Sequence, residues 1–309
     1  MNHEYFEEWT PEMAYYLGWL WADGNICDGK LQIGCVTKDE EIILNFMRAI
    51  ESDHKIIRKP GYWHKKGYYV NPYTKSSIYS KKLILSLVET HGILPRKTYN
   101  DPSFPQLNEL YLRPFIRGYF DGDGSIFKRK NDSISISMIG TKQFMTTMQD
   151  VICKTTGLPK HGITKCKNTK TPSAAWTINW NKKSEVLTFL NFIYDGLPYL
   201  HRKKELADKW SSELIEFCKW CGVEIRNNRI RLRFLRKSLG EYKNIDECFW
   251  ARNYAHSRIY SFEYPIPASE IPLLRQKEIV NLVEKRLAGD MTHQRRLNKN
   301  YLNEKEKTI

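Results

Sequence analysis

The stretch IRGYFDGDG, residues 116–124, decides the fold because an imperfect copy of it, YLGWLWADG, occupies residues 16–24. The copies share a glycine at the third position, and both end on an Asp-Gly pair that begins at Asp23 and at Asp123. Three further pairs of segments match in the same order: CVTKDEEII (35–43) with IGTKQFMTT (139–147), IYSKKLILSL (78–87) with NWNKKSEVLTF (179–189), and LPRKT (94–98) with LHRKK (200–204). Four matches in one order predict a duplicated unit.

Each unit is predicted to run helix, two strands, helix, two strands, helix. Thr10, Pro11 and Glu12 form a helix start, and Pro114 is expected to open the second motif helix, which Gly124 closes. The other elements are strands at 30–36 and 132–138, helices at about 38–51 and 141–155, and hairpins at 55–70 and 160–180.

Composition narrows the class of protein. The chain has 309 residues, a formal net charge of +14 and a pI near 9.3, which favours a polyanionic partner such as nucleic acid. No apolar run is long enough to span a membrane, and the acidic, polar N-terminus argues against secretion. The seven scattered cysteines are typical of reduced thiols. We therefore expect an intracellular protein, in the cytoplasm, the nucleoid or an organelle matrix.

Small residues recur four apart in both motif helices and predict a helix–helix contact. They are Gly18 and Ala22 in the first, and Gly118 and Gly122 in the second. Glycine inside a helix costs about 0.5–1 kcal/mol relative to alanine, and close backbone packing is a sufficient reason to accept that cost. Such a contact would bring Asp23 and Asp123 side by side.

Two carboxylates at helix C-termini repel each other and the helix dipoles, so a cation is expected between them. Hard divalent cations such as Mg²⁺ suit two carboxylates, backbone carbonyls and water. Asp121 aligns with Trp21, which cannot ligate a metal, so Asp121 is predicted to be structural. A calcium loop starting at Asp121 would need glycine and glutamate where Ile126 and Asp132 stand, which argues against it.

The paired motifs and the Arg-Lys signatures over residues 8–210 resemble the LAGLIDADG homing endonucleases in their single-chain form. The resemblance implies two pseudo-symmetric αββαββα units forming a DNA-binding saddle, and a monomer that cleaves double-stranded DNA. It implies Mg²⁺ or Mn²⁺ held by Asp23 and Asp123 with the carbonyls of Ala22 and Gly122. It further implies lysines near the scissile phosphate. The matched candidates are Lys97 and Lys203, with Lys38 and Lys142 as weaker members of a basic pocket.

Basic residues interleaved with aromatic ones on the predicted hairpins are candidates for DNA contacts. They are Arg58, Lys59, Lys65, Lys66, Lys160, Lys165 and Lys167.

After Trp210, the strand RIRLRF (229–234) alternates arginine with apolar residues, and a helix follows. Residues 217–262 resemble an ethylene-response-factor-like DNA-binding domain, a three-stranded sheet backed by one helix. The resemblance points to base contacts from Arg226, Arg229, Arg231 and Arg233.

The sequence thus predicts an α+β chain of four parts. They are a first LAGLIDADG unit at 1–107, a second at 108–212, a small DNA-binding domain at 213–265, and a partly disordered tail at 266–309 that contains a helix at 269–288. The leading hypothesis for function is a metal-dependent, site-specific DNA endonuclease. The alternatives are a splicing cofactor that binds its host intron RNA, and a DNA-binding regulator without cleavage. Asparagine in place of either acid would discriminate between them.

Overall fold

The computed structural model describes residues 1–95, 97, 103–130, 133–166, 174–220, 223–226, 229–234, 237–243, 245–260, 271–272 and 274–287. They fall in two compact units, Met1–Ser212 and Glu213–Ile309. The α+β class is confirmed: the larger unit holds two four-stranded antiparallel sheets with helices, and the smaller holds a three-stranded sheet with helices. In the part of the chain that the structure describes, no helix is long and apolar enough to cross a bilayer.

The larger unit repeats one arrangement twice. Its first half contains α1 (Pro11–Asp23), β1 (Asn25–Cys27), β2 (Lys30–Val36), α2 (Glu41–Ala49), β3 (Ile56–Lys59), β4 (Tyr62–Trp63), β5 (Tyr69–Val70), β6 (Tyr73–Ile78) and α3 (Lys81–Leu85). Its second half contains α4 (Glu109–Asp123), β7 (Gly124–Lys128), β8 (Ile134–Thr141), α5 (Lys142–Thr156), β9 (Thr164–Lys165), β10 (Ala174–Trp180), α6 (Lys183–Ile193) and the first part of α7 (His201–Trp220), a helix that continues past Ser212.

The two sheets have equivalent strand orders, β1-β2-β6-β3 and β7-β8-β10-β9. The predicted duplication is therefore confirmed at the level of topology. The first half differs by an insertion, because β4 and β5 form a separate two-stranded hairpin between β3 and β6.

Helix α1 begins and ends as its sequence predicts. The Thr10 hydroxyl accepts a hydrogen bond from the Met13 backbone N–H at 3.0 Å, and Pro11 occupies the first turn, where a missing N–H costs least. Gly24 follows the last turn. Every residue from Met13 to Trp21 is buried, and a helix that is apolar all round lies in a core.

The predicted start of the second motif helix at Pro114 is wrong. Helix α4 begins five residues earlier at Glu109, because the Asn108 side chain accepts a hydrogen bond from the Leu110 N–H at 3.0 Å. Pro114 lies inside the helix, where it deprives the Leu110 carbonyl of its partner. Leu110 is exposed, so water can satisfy that carbonyl, and the helix tolerates the proline.

The cross-strand pairs define two faces of the first sheet. Ile33 pairs with Ser76 and Cys35 with Thr74, and Ile33, Thr74 and Ser76 are buried beneath the helices. Alternate residues therefore lie on the opposite, open face of the sheet. The open face carries Asn25, Lys30, Gln32, Gly34, Lys59, Tyr73, Lys75 and Ser77.

The smaller unit is built from β11 (Val223–Arg226), β12 (Arg229–Phe234), β13 (Lys237–Tyr242), α8 (Ile245–Tyr260) and a helix α9 at 274–287. Leu232 and Leu239 from the sheet pack with Ala251 and Ala255 from α8, as the amphipathic pattern predicts. Val283 from α9 lies in the same core, so the helix predicted for the tail belongs to this unit.

Candidate functional site

Helices α1 and α4 contact each other through their backbones. A Cβ placed on Gly118 would lie 1.9 Å from the Tyr15 carbonyl oxygen, and one on Gly18 would lie 2.0 Å from the Phe115 oxygen. Further along, a Cβ on Gly122 would meet the Ala22 Cβ at 2.4 Å and an Asp23 carboxylate oxygen at 3.1 Å. The close approach therefore continues to the C-terminal ends of both helices.

This contact brings Asp23 and Asp123 together at the end of the helix pair. Burial, followed by repulsion from Asp23, raises the pKa of Asp123 to about 7. Burial also raises the pKa of Asp23, against the lowering effect of Lys97, Lys203 and a hydrogen bond from Trp19. Protein atoms surround both carboxylates closely enough to desolvate them, although Asp23 as a residue keeps an exposed edge and Asp123 is half-buried. The protein therefore holds two mutually repelling acids at a place that solutes can reach.

Two lysines cap the helices that carry the acids. Lys97 Nζ donates hydrogen bonds to the carbonyl oxygens of Leu20, at 2.8 Å, and Gly24, at 2.5 Å. Lys203 Nζ donates to the matched carbonyls of Phe120, at 2.7 Å, and Gly124, at 2.6 Å. Their charges offset the negative ends of both helix dipoles. The lysines therefore hold the helix ends, in addition to balancing the charge of the acids.

Burial lowers the pKa of Lys97 to about 8, although Asp123 and Asp23 act in the opposite direction. Burial likewise lowers the pKa of Lys203, opposed first by Asp121. Each lysine is thus poised close to the acid pair within a partly desolvated environment. The resemblance implies that both lysines lie near the scissile phosphate, which stays a prediction; in the structure, backbone carbonyls at the helix ends hold each of them.

Two cavities flank the acid pair and differ in chemistry. The first, of about 230 Å³, is lined by Asp23 with polar residues of the open sheet face, including Gln32, Tyr73 and Lys75. The second, of about 200 Å³, is lined by Asp123 and Lys97 together with Trp21, Tyr119 and Phe144. The duplication therefore preserves the position of each acid, whereas the surroundings of the two acids have diverged.

Asp121 is a structural residue in this arrangement. It is 4% exposed and accepts hydrogen bonds from the hydroxyls of Tyr15, at 2.9 Å, and Tyr194, at 2.8 Å, and from the Leu200 N–H, at 2.8 Å. Trp21, at the matched position of α1, stacks on Phe144 with ring centroids 5.0 Å apart. Both positions serve the packing around the helix pair.

Replacing Asp121 by asparagine should lower the free energy of unfolding by about 2 kcal/mol, because hydrogen bonds to a charged acceptor contribute about 1.5–3 kcal/mol each and the amide can replace only part of them. Thermal denaturation measures this loss. Asp28→Asn is the matched control, since Asp28 is an exposed turn residue with a φ of 48° that asparagine also adopts. An unchanged stability with altered chemistry at the acid pair would contradict the structural role.

The predicted basic pocket is not assembled by direct contacts. Lys38 is exposed on the 3₁₀ turn Thr37–Asp39. Lys142 lies over the Trp176 ring, 4.9 Å from its centroid. Neither lysine is among the groups that dominate the pKa values of Asp23 and Asp123. Their assignment to the pocket stays a prediction.

The predicted DNA-contacting residues occupy different surroundings. Arg58 pairs with Glu40 at 2.7 Å and stands opposite Thr74, on the helix-covered side of the first sheet. Lys59 lies on the open face, and Lys65 and Lys66 are exposed at the tip of the β4–β5 hairpin. These three are the members of the first-half set that project toward open surroundings.

In the second half, Lys160 pairs with Asp150 at 2.6 Å, beyond the end of α5. Lys165 is exposed on β9 opposite Trp176, and Lys167 lies outside the described residues. In the smaller unit, Arg226, Arg229, Arg231 and Arg233 lie on β11 and β12. The exposed Arg231 pairs with Glu241 at 2.6 Å, which reduces the net charge of that strand face.

Sequence reasoning missed the aromatic residues around the acids. Trp19 and Tyr119 stand one helical turn before Asp23 and Asp123, and residues four apart share a helix face. That spacing could have revealed them. Tyr73 could not have been found in this way, because its ring reaches the Asp23 cavity across Gly34, from another strand.

A second missed feature joins the two halves of the larger unit. Arg202 forms a two-point ion pair with Asp39, at 2.6 and 2.7 Å, and the His201 N–H donates to Glu41 at 2.7 Å. The LHRKK segment therefore supplies, next to Lys203, an arginine that links the two halves of the larger unit. Planar, two-point pairs of this kind fix orientation as well as contributing charge.

Comparisons with known proteins report similarity in structure only. No family model and no curated protein sequence matches the chain. The meganuclease I-SmaMI bound to uncleaveable DNA has a TM-score of 0.46 and 11% identity, over 68% of this chain and 90% of its own. The LAGLIDADG meganuclease I-AabMI bound to uncleaved DNA has a TM-score of 0.43 and 12% identity, over 68% and 93%.

The N-terminal LAGLIDADG domain of DUF199/WhiA also matches, with a TM-score of 0.40 and 13% identity, over 63% of this chain and 90% of its own. The similarity of residues 217–262 to an ethylene-response-factor-like domain gained no support from the comparisons. The sheet-and-helix architecture predicted for that region is nevertheless present in the smaller unit.

Proposed function

We propose that the chain is a site-specific DNA endonuclease of the LAGLIDADG type, which hydrolyses phosphodiesters of double-stranded DNA with Mg²⁺ or Mn²⁺ held between Asp23 and Asp123. The observation that carries the proposal is the acid pair itself. Two helices deliver two carboxylates to one solvent-accessible place, where burial and mutual repulsion raise the pKa of Asp123 to about 7. Perturbed carboxylates of this kind concentrate at functional sites.

The residues present fit a hard divalent cation. Asp23 and Asp123 supply oxygen ligands, and a cation would relieve the repulsion that raises the pKa of Asp123. Within the described ranges there is no group of three or more His, Cys, Asp or Glu side chains that could hold a metal. Further ligands would therefore have to be backbone carbonyls, with Ala22 and Gly122 as the candidates, together with water or phosphate. When bound, the cation would activate water and neutralise charge at the phosphodiester.

The chain's own residues position this site. Gly18 and Gly118 set the separation of the two helices, because each packs against the backbone of the opposite helix, and Lys97 and Lys203 hold the carbonyls at the helix ends. We assign both lysines first to positioning. Because Lys97 also lines the Asp123 cavity, it is the better candidate for contact with a phosphate that enters there. Rigid placement of this kind is what a site for an in-line reaction requires.

The open faces of the two sheets are the proposed DNA interface. On the first sheet, Lys30, Lys59 and Lys75 stand among Asn25 and Gln32, so one surface offers charge for phosphates and amides for base edges. In the smaller unit, the arginines of β12 are proposed to contact DNA as a separate element. The +14 net charge of the chain agrees with such a partner.

The test uses the full chain and a library of randomised duplex targets, incubated with Mg²⁺ or with a chelator. Sequencing of the cleaved molecules should recover one family of related sites, only in the presence of the metal. Mn²⁺ should replace Mg²⁺. Absence of cleavage with either ion, on a library that the protein binds, would refute the endonuclease and leave a DNA-binding protein.

Metal affinity should decrease as the pH falls, because protons compete with the cation for Asp123. Because its pKa is about 7, a proton competes with the cation, and affinity should fall by up to about tenfold per pH unit below pH 7. Calorimetric titration of Mn²⁺ at several pH values, in buffers of different ionisation enthalpy, measures the proton released. An affinity that is constant from pH 6 to pH 8 would contradict a site that contains Asp123.

The raised pKa of Asp123 also predicts how the free energy of unfolding varies with pH when no metal is bound. The folded-state pKa of Asp123 lies above its unfolded value near 4, so the folded protein binds the extra proton. The contribution of Asp123 to the free energy of unfolding should therefore decrease as the pH rises from about 4 to about 7, and then level off. Asp123→Asn should remove this contribution.

A further inference from the structure

The β4–β5 hairpin, residues 61–70, displays aromatic rings that no core covers. Trp63 is 73% exposed, and Tyr62, Tyr68 and Tyr69 are 55%, 52% and 49% exposed. We refer to this segment as the aromatic hairpin. Such large side chains are normally enriched in cores or at interfaces, so four of them exposed on ten residues require an explanation.

Contacts within the hairpin orient these rings without hiding them. Trp63 pairs with Tyr69 across the strands, and their rings meet edge to face at 5.6 Å. His64 stacks on Tyr68 at 4.6 Å and 15°. Gly61 leaves room for the Tyr69 ring, since a Cβ there would lie 2.2 Å from the Tyr69 hydroxyl. Cross-strand pairs of this kind stabilise a small hairpin, yet the four aromatic residues keep 49–73% of their surface exposed to a ligand.

The positive charge around the aromatic hairpin favours a polyanionic ligand. Residues 54–88 contain no aspartate or glutamate, and Lys59, Lys65 and Lys66 are exposed near the rings. Phosphates are therefore attracted to this part of the surface with no competing acid nearby in the sequence. Aromatic faces next to lysines at this density are typical of binding to single-stranded nucleic acid.

The shape of the rings argues against an intact duplex as the ligand. In a duplex the flat faces of the bases are covered by neighbouring bases, and only their edges are exposed in the grooves. Flat aromatic rings complement base faces, which are accessible in the loops and bulges of folded RNA. The Tyr62 and Tyr68 hydroxyls can in addition hydrogen-bond a ribose 2′-hydroxyl.

We propose that the aromatic hairpin is a binding site for single-stranded RNA, in which unpaired bases stack on Trp63 and its neighbouring tyrosines and the phosphates contact Lys65 and Lys66. The site lies outside the acid pair and its two cavities. It goes beyond the proposed cleavage of DNA and requires none of its steps.

The test measures the binding of labelled oligonucleotides of one sequence, as single-stranded RNA, single-stranded DNA and duplex DNA, to the full chain by fluorescence anisotropy. Trp63→Ala should weaken RNA binding about tenfold or more, the expected effect of losing one stacked base. Duplex binding should not change. Trp63→Phe, which keeps a flat ring, should restore most of the affinity. Tyr79→Ala is the matched control, because Tyr79 is 60% exposed but lies outside the hairpin.

Circular dichroism and the thermal midpoint should be unchanged in all these variants, since the Trp63 side chain lies outside the core. An equal loss of affinity for RNA and for duplex would overturn the proposal, as would Trp63→Ala binding RNA like the wild type. Equal binding of single-stranded DNA and RNA would overturn the assignment to RNA. An equal loss for the duplex would return the hairpin, with Lys65 and Lys66, to the predicted DNA contacts, whereas the proposed cleavage fails only if the library cleavage fails.

Discussion

Asp123→Asn is expected to abolish DNA cleavage, with a loss of about 10³-fold or more, while binding of the target DNA persists. Asparagine is isosteric with aspartate but carries no charge, so it holds a divalent cation together with Asp23 much more weakly. Loss of several kcal/mol of charge stabilisation in the transition state corresponds to a rate decrease of this order. Single-turnover cleavage and gel-shift titration on the selected target measure the two effects separately.

Stability provides a second, independent readout for the same variant. Without metal, Asp123→Asn removes one of two repelling carboxylates, so the protein should unfold at a higher temperature at pH 8 than the wild type. Asp23→Asn should behave similarly in cleavage. Asp28→Asn, the same change at an exposed turn, should alter neither property. Cleavage at the wild-type rate by Asp123→Asn would exclude the acid pair as the site.

Gly118→Ala is expected to cause the largest loss of stability. The added Cβ would lie 1.9 Å from the Tyr15 carbonyl oxygen and 2.9 Å from the Trp19 backbone nitrogen, and neither backbone atom can rotate away. The helices must move apart, which costs about 3 kcal/mol or more in a well-packed core. For a unit of this size, that is a decrease of about 6–12 °C in its melting temperature.

Gly162→Ala is the matched control for this change. A Cβ on Gly162 would meet no atom within 4 Å, and its backbone requires no positive φ. Scanning calorimetry of the full chain should therefore show a lower transition for Gly118→Ala only. Gly18→Ala should resemble Gly118→Ala, because its Cβ would lie 2.0 Å from the Phe115 oxygen. A melting temperature within about 1 °C of the wild type would show that the helices are not in contact.

Prediction from sequence succeeded where local signals and the repeat agreed. The capped start of α1 and the strand Lys30–Val36 coincide with the structure, because a capping residue and a period of two act over a few neighbouring residues. It failed at Pro114, where the local rule for proline was overridden by the Asn108 cap and by the burial of the helix. Where two helix starts are possible, the packing around them decides which one is used. Packing depends on distant segments, so it cannot be read from the local sequence.

The candidate site, like the fold, could be predicted from the sequence only in part. Alignment of the copies was enough to separate Asp123 from Asp121 in role, since only one of them has an acidic counterpart in the first copy. The contacts that explain the difference come from distant segments: Tyr194 and Leu200 reach Asp121, and Lys203 reaches the end of α4. The pairing of Arg58 with Glu40 was equally invisible, because it depends on which face of the sheet β3 presents.

The sequence by itself determined the duplication, the glycine spacing of both motif helices, the two acids and the basic character of the chain. These features follow from residue type and spacing alone, and they do not depend on how the helices and strands pack together. Only the tertiary structure decided that the helix backbones touch, that Lys97 and Lys203 cap the helix ends, and that the two cavities differ. The physical reason is that burial and mutual repulsion, which raise the pKa of Asp123, arise only when segments about one hundred residues apart are packed together.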